Sequence, residues 1–316
     1  MEWVLECWDG GELRLEQPVE WELEYTVGTP CDSFSLICPW EPGGLDGAQR
    51  AAGFRLEDGG SLLFRGVVDE TAYRADGGGG ALEVSGRGMA ALLLDNEAMP
   101  ADYETATAED ILRDHVAPYG IQVGAMGDLP AVSGFSVQSG ESEWQVLYQF
   151  ARYHGGVSPR FDREGRLLLT PFADREAVLL DDQVAVTSLS WRVKRYGVLS
   201  EIWVRDRTRQ AVEKVANQAF LAQRGQRRQV MTMPGKSNYL AMRYSGEFQL
   251  RRSESEQVRL AVTVPRLFFA WPGDLMRMDL AGWSFGGDWR VLSAKVRADE
   301  TGGRTVLELG EPGAVL

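Results

Sequence analysis

The stretch Gly86-Arg-Gly88-Met-Ala-Ala91 is the first place in this chain where residue type and spacing could serve chemistry. A glycine-rich turn between a strand and a helix can cradle a pyrophosphate, but that mechanism needs a parallel βαβ unit and an acidic residue about 20 positions on. Here the preceding run is the second arm of a hairpin, and a proline- and tyrosine-containing loop follows Asp95. The two histidines, His115 and His154, each fall near the C-terminal end of a predicted helix, where they complement its dipole. Neither has Cys, His or carboxylate partners at metal-ligand spacing. No Gly-x-Ser-x-Gly elbow is present to support a Ser-His-Asp hydrolase. The acidic pairs Asp181-Asp182 and Glu104…Glu109 could stand as glycosidase carboxylates, yet both read as turn and cap residues. Arg224 to Arg228 could touch phosphate and reads first as a solvated loop. The residues therefore assign no catalytic, cofactor-binding or metal-ligating position, no cofactor and no enzymatic activity.

Composition narrows the class further. Thirty-three basic residues against 46 acidic ones leave a net charge of −13, which disfavours a protein built to grip nucleic-acid backbone. The 44% hydrophobic and 10% aromatic content is enough to bury real cores. Met1-Glu-Trp-Val-Leu-Glu-Cys7 reads as a charged strand rather than a signal peptide, and no window approaches the length of a membrane span. Cys7, Cys31 and Cys38 lie in strand-like segments, so free thiols in a reducing cytoplasm are expected. The ten tryptophans, Trp283 and Trp289 among them, mostly alternate with polar residues in strands, as cores and subunit interfaces require.

The elements that would position these residues repeat. Leu62 to Asp69 and Ala81 to Ser85 flank a polar segment ending in the glycines Gly77 to Gly80. Asp288 to Arg297 and Arg304 to Leu309 flank Ala-Asp-Glu-Thr-Gly-Gly. Each is a hairpin signal, preceded by a further strand candidate at Ser33–Cys38 or Asp274–Leu280. Between them the texture changes. Thr107 caps a predicted helix to Val116, Ser139 to Ser142 starts a second over Glu143–Tyr153, and a hairpin spans Val157–Phe161 and Arg166–Thr170. From about Ala177, alternating strands at 184–193 and 198–205 are joined through Lys-Arg-Tyr-Gly, and Tyr239–Glu256 reads as a helix that Gly246 weakens. The segment between them, with Arg207, Arg209, Lys214, Arg224, Arg227 and Arg228, is locally basic. The expected fold is mixed and mainly β: a first small β-barrel at 1–96, a central α+β domain at 97–176, and a second, similar barrel at 177–316 with a helical excursion.

Three of these segments resemble a known family. Phe64-Arg-Gly-Val-Val-Asp69 with Leu82 to Asp95 is similar to the first barrel of baseplate hub proteins of contractile-tailed phages, including Mu-like and PBSX-like tail proteins. Gly140 to Gly156 with Phe161-Asp-Arg-Glu-Gly-Arg-Leu167 resembles the family's central domain, and Trp271-Pro-Gly-Asp-Leu275 with Asp299 to Leu309 its closing barrel. The resemblance implies a structural hub in the baseplate of a virion tail or phage-tail-like particle, assembled in the bacterial host cytoplasm. It implies a homotrimeric ring adapting a six-fold tail tube to a three-fold spike. The expected partners are the tube or tube-initiator protein, the spike and the tape-measure protein, with no membrane and no specific nucleic-acid binding. The alternatives are a distal tail or adaptor protein of a non-contractile phage and a tail-associated peptidoglycan hydrolase.

Overall fold

Alternating apolar and polar residues dominate both ends of the chain, and both ends fold as mainly antiparallel sheet. The computed structural model describes all residues except 28–30, 42–43, 78, 173–177, 182, 207–210, 234–236, 238, 281, 283–284 and 315–316. Gly78, Ala177, Asp182, Arg207, Arg209 and Trp283, singled out above, lie outside the described residues.

The first region holds β1 (Glu2–Cys7), β2 (Glu12–Leu15), β3 (Glu20–Thr26), β4 (Ser33–Pro39), the turn α1 (Leu45–Ala48), β5 (Ala51–Asp58), β6 (Ser61–Asp76), β7 (Gly79–Gly88) and the short helix α2 (Ala91–Leu94). The middle holds β8 (Ala101–Ala106), α3 (Ala108–His115), β9 (Val123–Met126), β10 (Val132–Val137), α4 (Glu143–Tyr148), β11 (Arg160–Phe161) and β12 (Leu167–Leu169). The last region holds β13 (Val178–Asp181), β14 (Ser188–Val193), β15 (Glu201–Arg205), β16 (Val212–Ala216), α5 (Gln218–Ala222), β17 (Arg228–Thr232), α6 (Tyr239–Ser255), β18 (Val258–Val264), β19 (Leu275–Asp279), β20 (Gly287–Asp299) and β21 (Gly302–Gly310).

The two hairpins read from the sequence are β6–β7 and β20–β21, and each nucleates the same strand order. In the first region the order is β3-β4-β7-β6-β5, and in the last it is β14-β18-β21-β20-β19. The pairing corrects which neighbours correspond: Ser33–Pro39 matches β18, not β19, because both lie against the returning arm of their hairpin.

The expectation of two separate barrels meets a different arrangement. Among the described residues thirteen strands from the two end regions form one open sheet, with β16-β15-β17 apart from it and no closed barrel. The cause is the length of β20, whose one edge takes two partners in succession. Residues 287–290 pair with β19, and 293–298 continue antiparallel to β3. Lys295 reinforces that seam, its Nζ 2.9 Å from carboxylates of both Glu22 and Glu24. The core beneath is continuous as well, running from Trp3, Phe34, Phe54 and Phe64 to Val262, Val296 and Leu307. The Phe34 and Phe54 rings stack at 4.1 Å, and Tyr25 meets Trp271 edge-on at 4.7 Å across the two regions.

The middle segment packs on its own core, centred on Phe135, Trp144, Leu147 and Phe150. Thr107 and Ser142 each close a reciprocal capping box, with Asp110 and Gln145. The second helix extends beyond α4 as a π-helical stretch, Gln149–His154. β8 and β10, strands beyond those expected from the sequence, pair antiparallel across it.

A third core, around Ile202, Val204 and Met242, lies where α6 covers the sheet β16-β15-β17. The strands at 184–193 and 198–205, joined through Lys-Arg-Tyr-Gly, do not pair with each other: β14 pairs with β18, and β15 with β16 and β17. Gly246 has a packing reason. A Cβ there would stand 2.7 Å from Val215 Cγ2, so glycine lets α6 lie close to the sheet.

Candidate functional site

The residues weighed for chemistry are dispersed. Gly86 and Gly88 lie inside β7, flanked antiparallel by β4 and β6, which is not the βαβ setting of a dinucleotide turn. Arg87 between them binds Asp69 and Asp95 in paired hydrogen bonds of 2.6–3.0 Å, fastening the hairpin to the turn after α2. Glu104 and Glu109 lie on β8 and α3, where Glu109 acidifies the first turn of a helix. Arg228 pairs with Glu201 and lies over the Trp203 ring. The three cysteines are free thiols. Among the described residues no three His, Cys, Asp or Glu side chains converge as metal ligands would.

His115 does more than sit at a helix end. It is buried, and its Nδ1 lies 2.6 Å from Oε2 of buried Glu143, 28 residues away. Glu143 Oε1 accepts from Tyr119 Oη at 3.0 Å, and His115 Nε2 lies 3.0 Å from Tyr103 Oη, which also reaches Asp114 Oδ2. The cluster ties α3, α4 and β8 together. Sequence spacing could not reveal it, because capping boxes 35 residues apart, at Thr107 and Ser142, bring the two side chains together. Replacing Glu143 with Ala should destabilise the protein by about 3 kcal/mol, since it strands the buried His115 and the half-buried Tyr119. Urea unfolding followed by tryptophan fluorescence measures this; a change below about 1 kcal/mol would show the cluster to be structurally idle.

Two further groups carry unusual protonation. Asp32 accepts from Thr26 N–H at 2.7 Å while burial, opposed by that bond and reinforced by Glu24, pushes its carboxyl up to about 7. His154, its Nε2 without a partner, is pushed down to about 4 by burial.

The surface charge is divided along the chain. Residues 1–96 carry 18 acidic and 6 basic side chains, while 177–316 carry 15 acidic and 21 basic ones. The edge strand β14 presents Trp191, 53% exposed, and the following Tyr196 is 89% exposed. Large exposed aromatics on an unpaired sheet edge are the mark of a contact surface. No helix among the described residues is long and apolar enough to cross a membrane.

With this geometry in place, comparison with known proteins is informative. Residues 90–171 match the family model of the baseplate hub protein gp44-like, second domain. This segment is similar to a gp44-like baseplate hub second domain. The fold of the whole chain is that of a tail protein from Neisseria meningitidis MC58, with 17% identity, a TM-score of 0.80 and coverage of 98% of this chain and 96% of that one. It is also similar to the 43 kDa tail protein of prophage MuSo2 from Shewanella oneidensis, at 17% identity, TM-score 0.74 and 99% coverage of both chains. The E. coli c3393 protein, a type VI secretion system component described as similar to the T4 tail proteins gp27 and gp5, follows at 13% identity and TM-score 0.59, covering 93% of this chain and 73% of that one. No curated protein matches this chain by sequence.

Proposed function

We propose that this hub protein is a structural, non-enzymatic adaptor: a homotrimeric ring in the baseplate of a contractile tail, joining a six-fold tube to a three-fold spike. The repeated strand order, β3-β4-β7-β6-β5 and β14-β18-β21-β20-β19, carries the reading. Three copies of a chain that builds one sheet pattern twice offer six near-equivalent units to a hexameric tube, while each central segment occurs three times. The division of charge suits the same assembly. An acidic first region and a basic last region favour head-to-tail contacts, which close into a ring rather than a two-fold dimer. The spike protein, the tube and the tape-measure protein are the partners this geometry calls for, and the ring forms in the host cytoplasm before joining the particle.

Mass photometry tests the assembly. A species of three 35.0 kDa chains is expected at low ionic strength. Because exposed charges drive the contact, the trimer fraction should fall as salt rises past about 0.15 M. Hexamers would favour a distal-tail ring instead. Monomers that stay single even with a purified spike would refute the ring.

A further inference from the structure

A groove runs between α4 with its π-helical extension, α6, and the strands β17, β18 and β21. It consists of adjoining cavities of about 570 and 520 Å³ that share Arg252, Arg259 and the carboxylates Glu256 and Glu308. Its basic side chains are Arg192, Lys194, Arg227, Arg252 and Arg259, five cations facing those two carboxylates. In a chain of net charge −13 the local balance is inverted.

These cations are weakly neutralised. Among the described residues Arg252 reaches Glu256 only at 3.9 Å, and no salt bridge forms to Arg192, Lys194 or Arg227. Burial holds Arg259 below its usual range, and the nearby Arg192 adds to that depression despite Glu256 and Glu308. Behind the wall, the buried Arg152 guanidinium lies over the ring of Phe248 with its Nε unpartnered. A region in which cations outnumber carboxylates is complementary to an anionic partner.

The lining also says what kind of anion fits. Gln229 and Gln249 present carboxamides; beside them Gln145 has its Oε1 accepting from the Ser142 N–H, and Gln149 has its Nε2 donating to Glu141. A carboxamide both donates and accepts, which matches the alternating C=O and N–H of a polypeptide main chain. A phosphodiester backbone offers acceptors only, so it would leave the carboxamide oxygens without a donor. We propose that this groove binds an extended acidic peptide segment of a partner protein, its carboxylates on the cations and its main chain on the glutamine amides.

Fluorescence anisotropy with a labelled octaglutamate peptide and the full chain tests this. Saturable binding at low ionic strength is expected. The double variant Arg192→Glu/Arg227→Glu should weaken it about ten-fold or more, whereas Arg243→Glu/Arg251→Glu, an equal charge change elsewhere on the chain, should cost less than about three-fold. If the first pair fails to fold by circular dichroism, Arg192→Gln/Arg227→Gln replaces it, with a loss of about five-fold expected. Gln229→Ala/Gln249→Ala should weaken binding while leaving its salt dependence unchanged, because amides bind no counter-ions. Absence of saturable binding, equal losses in the two charge-reversed pairs, or an oligothymidylate that binds at least as tightly as the peptide would each overturn the proposal.

Discussion

Replacing Gly86 with Ala should cost the protein about 3 kcal/mol or more, and Gly66→Ala about as much, whereas Gly77→Ala should be nearly neutral. A Cβ at Gly86 would overlap the Val67 carbonyl oxygen and stand 2.6 Å from Phe34 Cε1. One at Gly66 would overlap the carbonyl oxygen of Arg87 and stand 2.9 Å from Phe64 Cε1. The two glycines face each other's strands across β6 and β7, beside the register shift between Val68 and Glu70. Neither obstruction is the free end of a flexible side chain. Relief would require moving backbone in a sheet whose same face packs the Phe34, Phe54 and Phe64 cluster. Gly77 has nothing within 4 Å of the corresponding position. Urea denaturation of the three variants decides the matter, and a Gly86→Ala protein as stable as Gly77→Ala would falsify the close-approach reading. The glycines that suggested a phosphate turn thus have a role that sheet packing alone explains.

That reversal shows where the sequence was legible. Period-two alternation and glycine-rich turns located both hairpins, since these signals are local and the turn residues sit within them. The Thr107 and Ser142 caps were readable for the same reason: a capping box spans four residues. What lay beyond local pattern was partner choice. The seam between β3 and β20 joins residues some 270 positions apart, and nothing in either strand marks the other as its neighbour. Nor does the 198–205 run reveal that it leaves the main sheet to pair with β16 and β17, because alternation reports a buried face and not the identity of the adjacent strand. β8 and β10 were missed where glycine, proline and charged residues masked the alternation. The His115–Glu143 contact is of the same kind, set by how two capped helices pack rather than by spacing. The groove escaped notice because its cations come from strands and helices far apart in the chain.

Stability should be nearly level between about pH 4 and 6.5, and two substitutions should tilt it in opposite directions. Asp32 titrates near 7 in the folded chain against 3.8 when unfolded, so folding takes up a proton in between. Its contribution is favourable below pH 4 and is lost as pH rises through 7. His154 titrates near 4 when folded against 6.5 when unfolded, so folding expels a proton. Its contribution is fully present above 6.5 and is lost as pH falls through 4. Each effect is on the order of 2–3 kcal/mol after allowing for partial exposure, and over the shared window the slopes oppose. Asp32→Asn keeps an acceptor for the Thr26 N–H but removes the charge, so its advantage over the wild type should grow from pH 5 to pH 8. His154→Leu removes the acid-labile group beside the Phe135 ring, so its relative stability should rise as pH drops from 6.5 to 4.5. Urea unfolding of the three proteins at pH 4.5, 6 and 8 reads both trends. Variant curves that run parallel to the wild type across this range would remove Asp32 and His154 as the titrating groups.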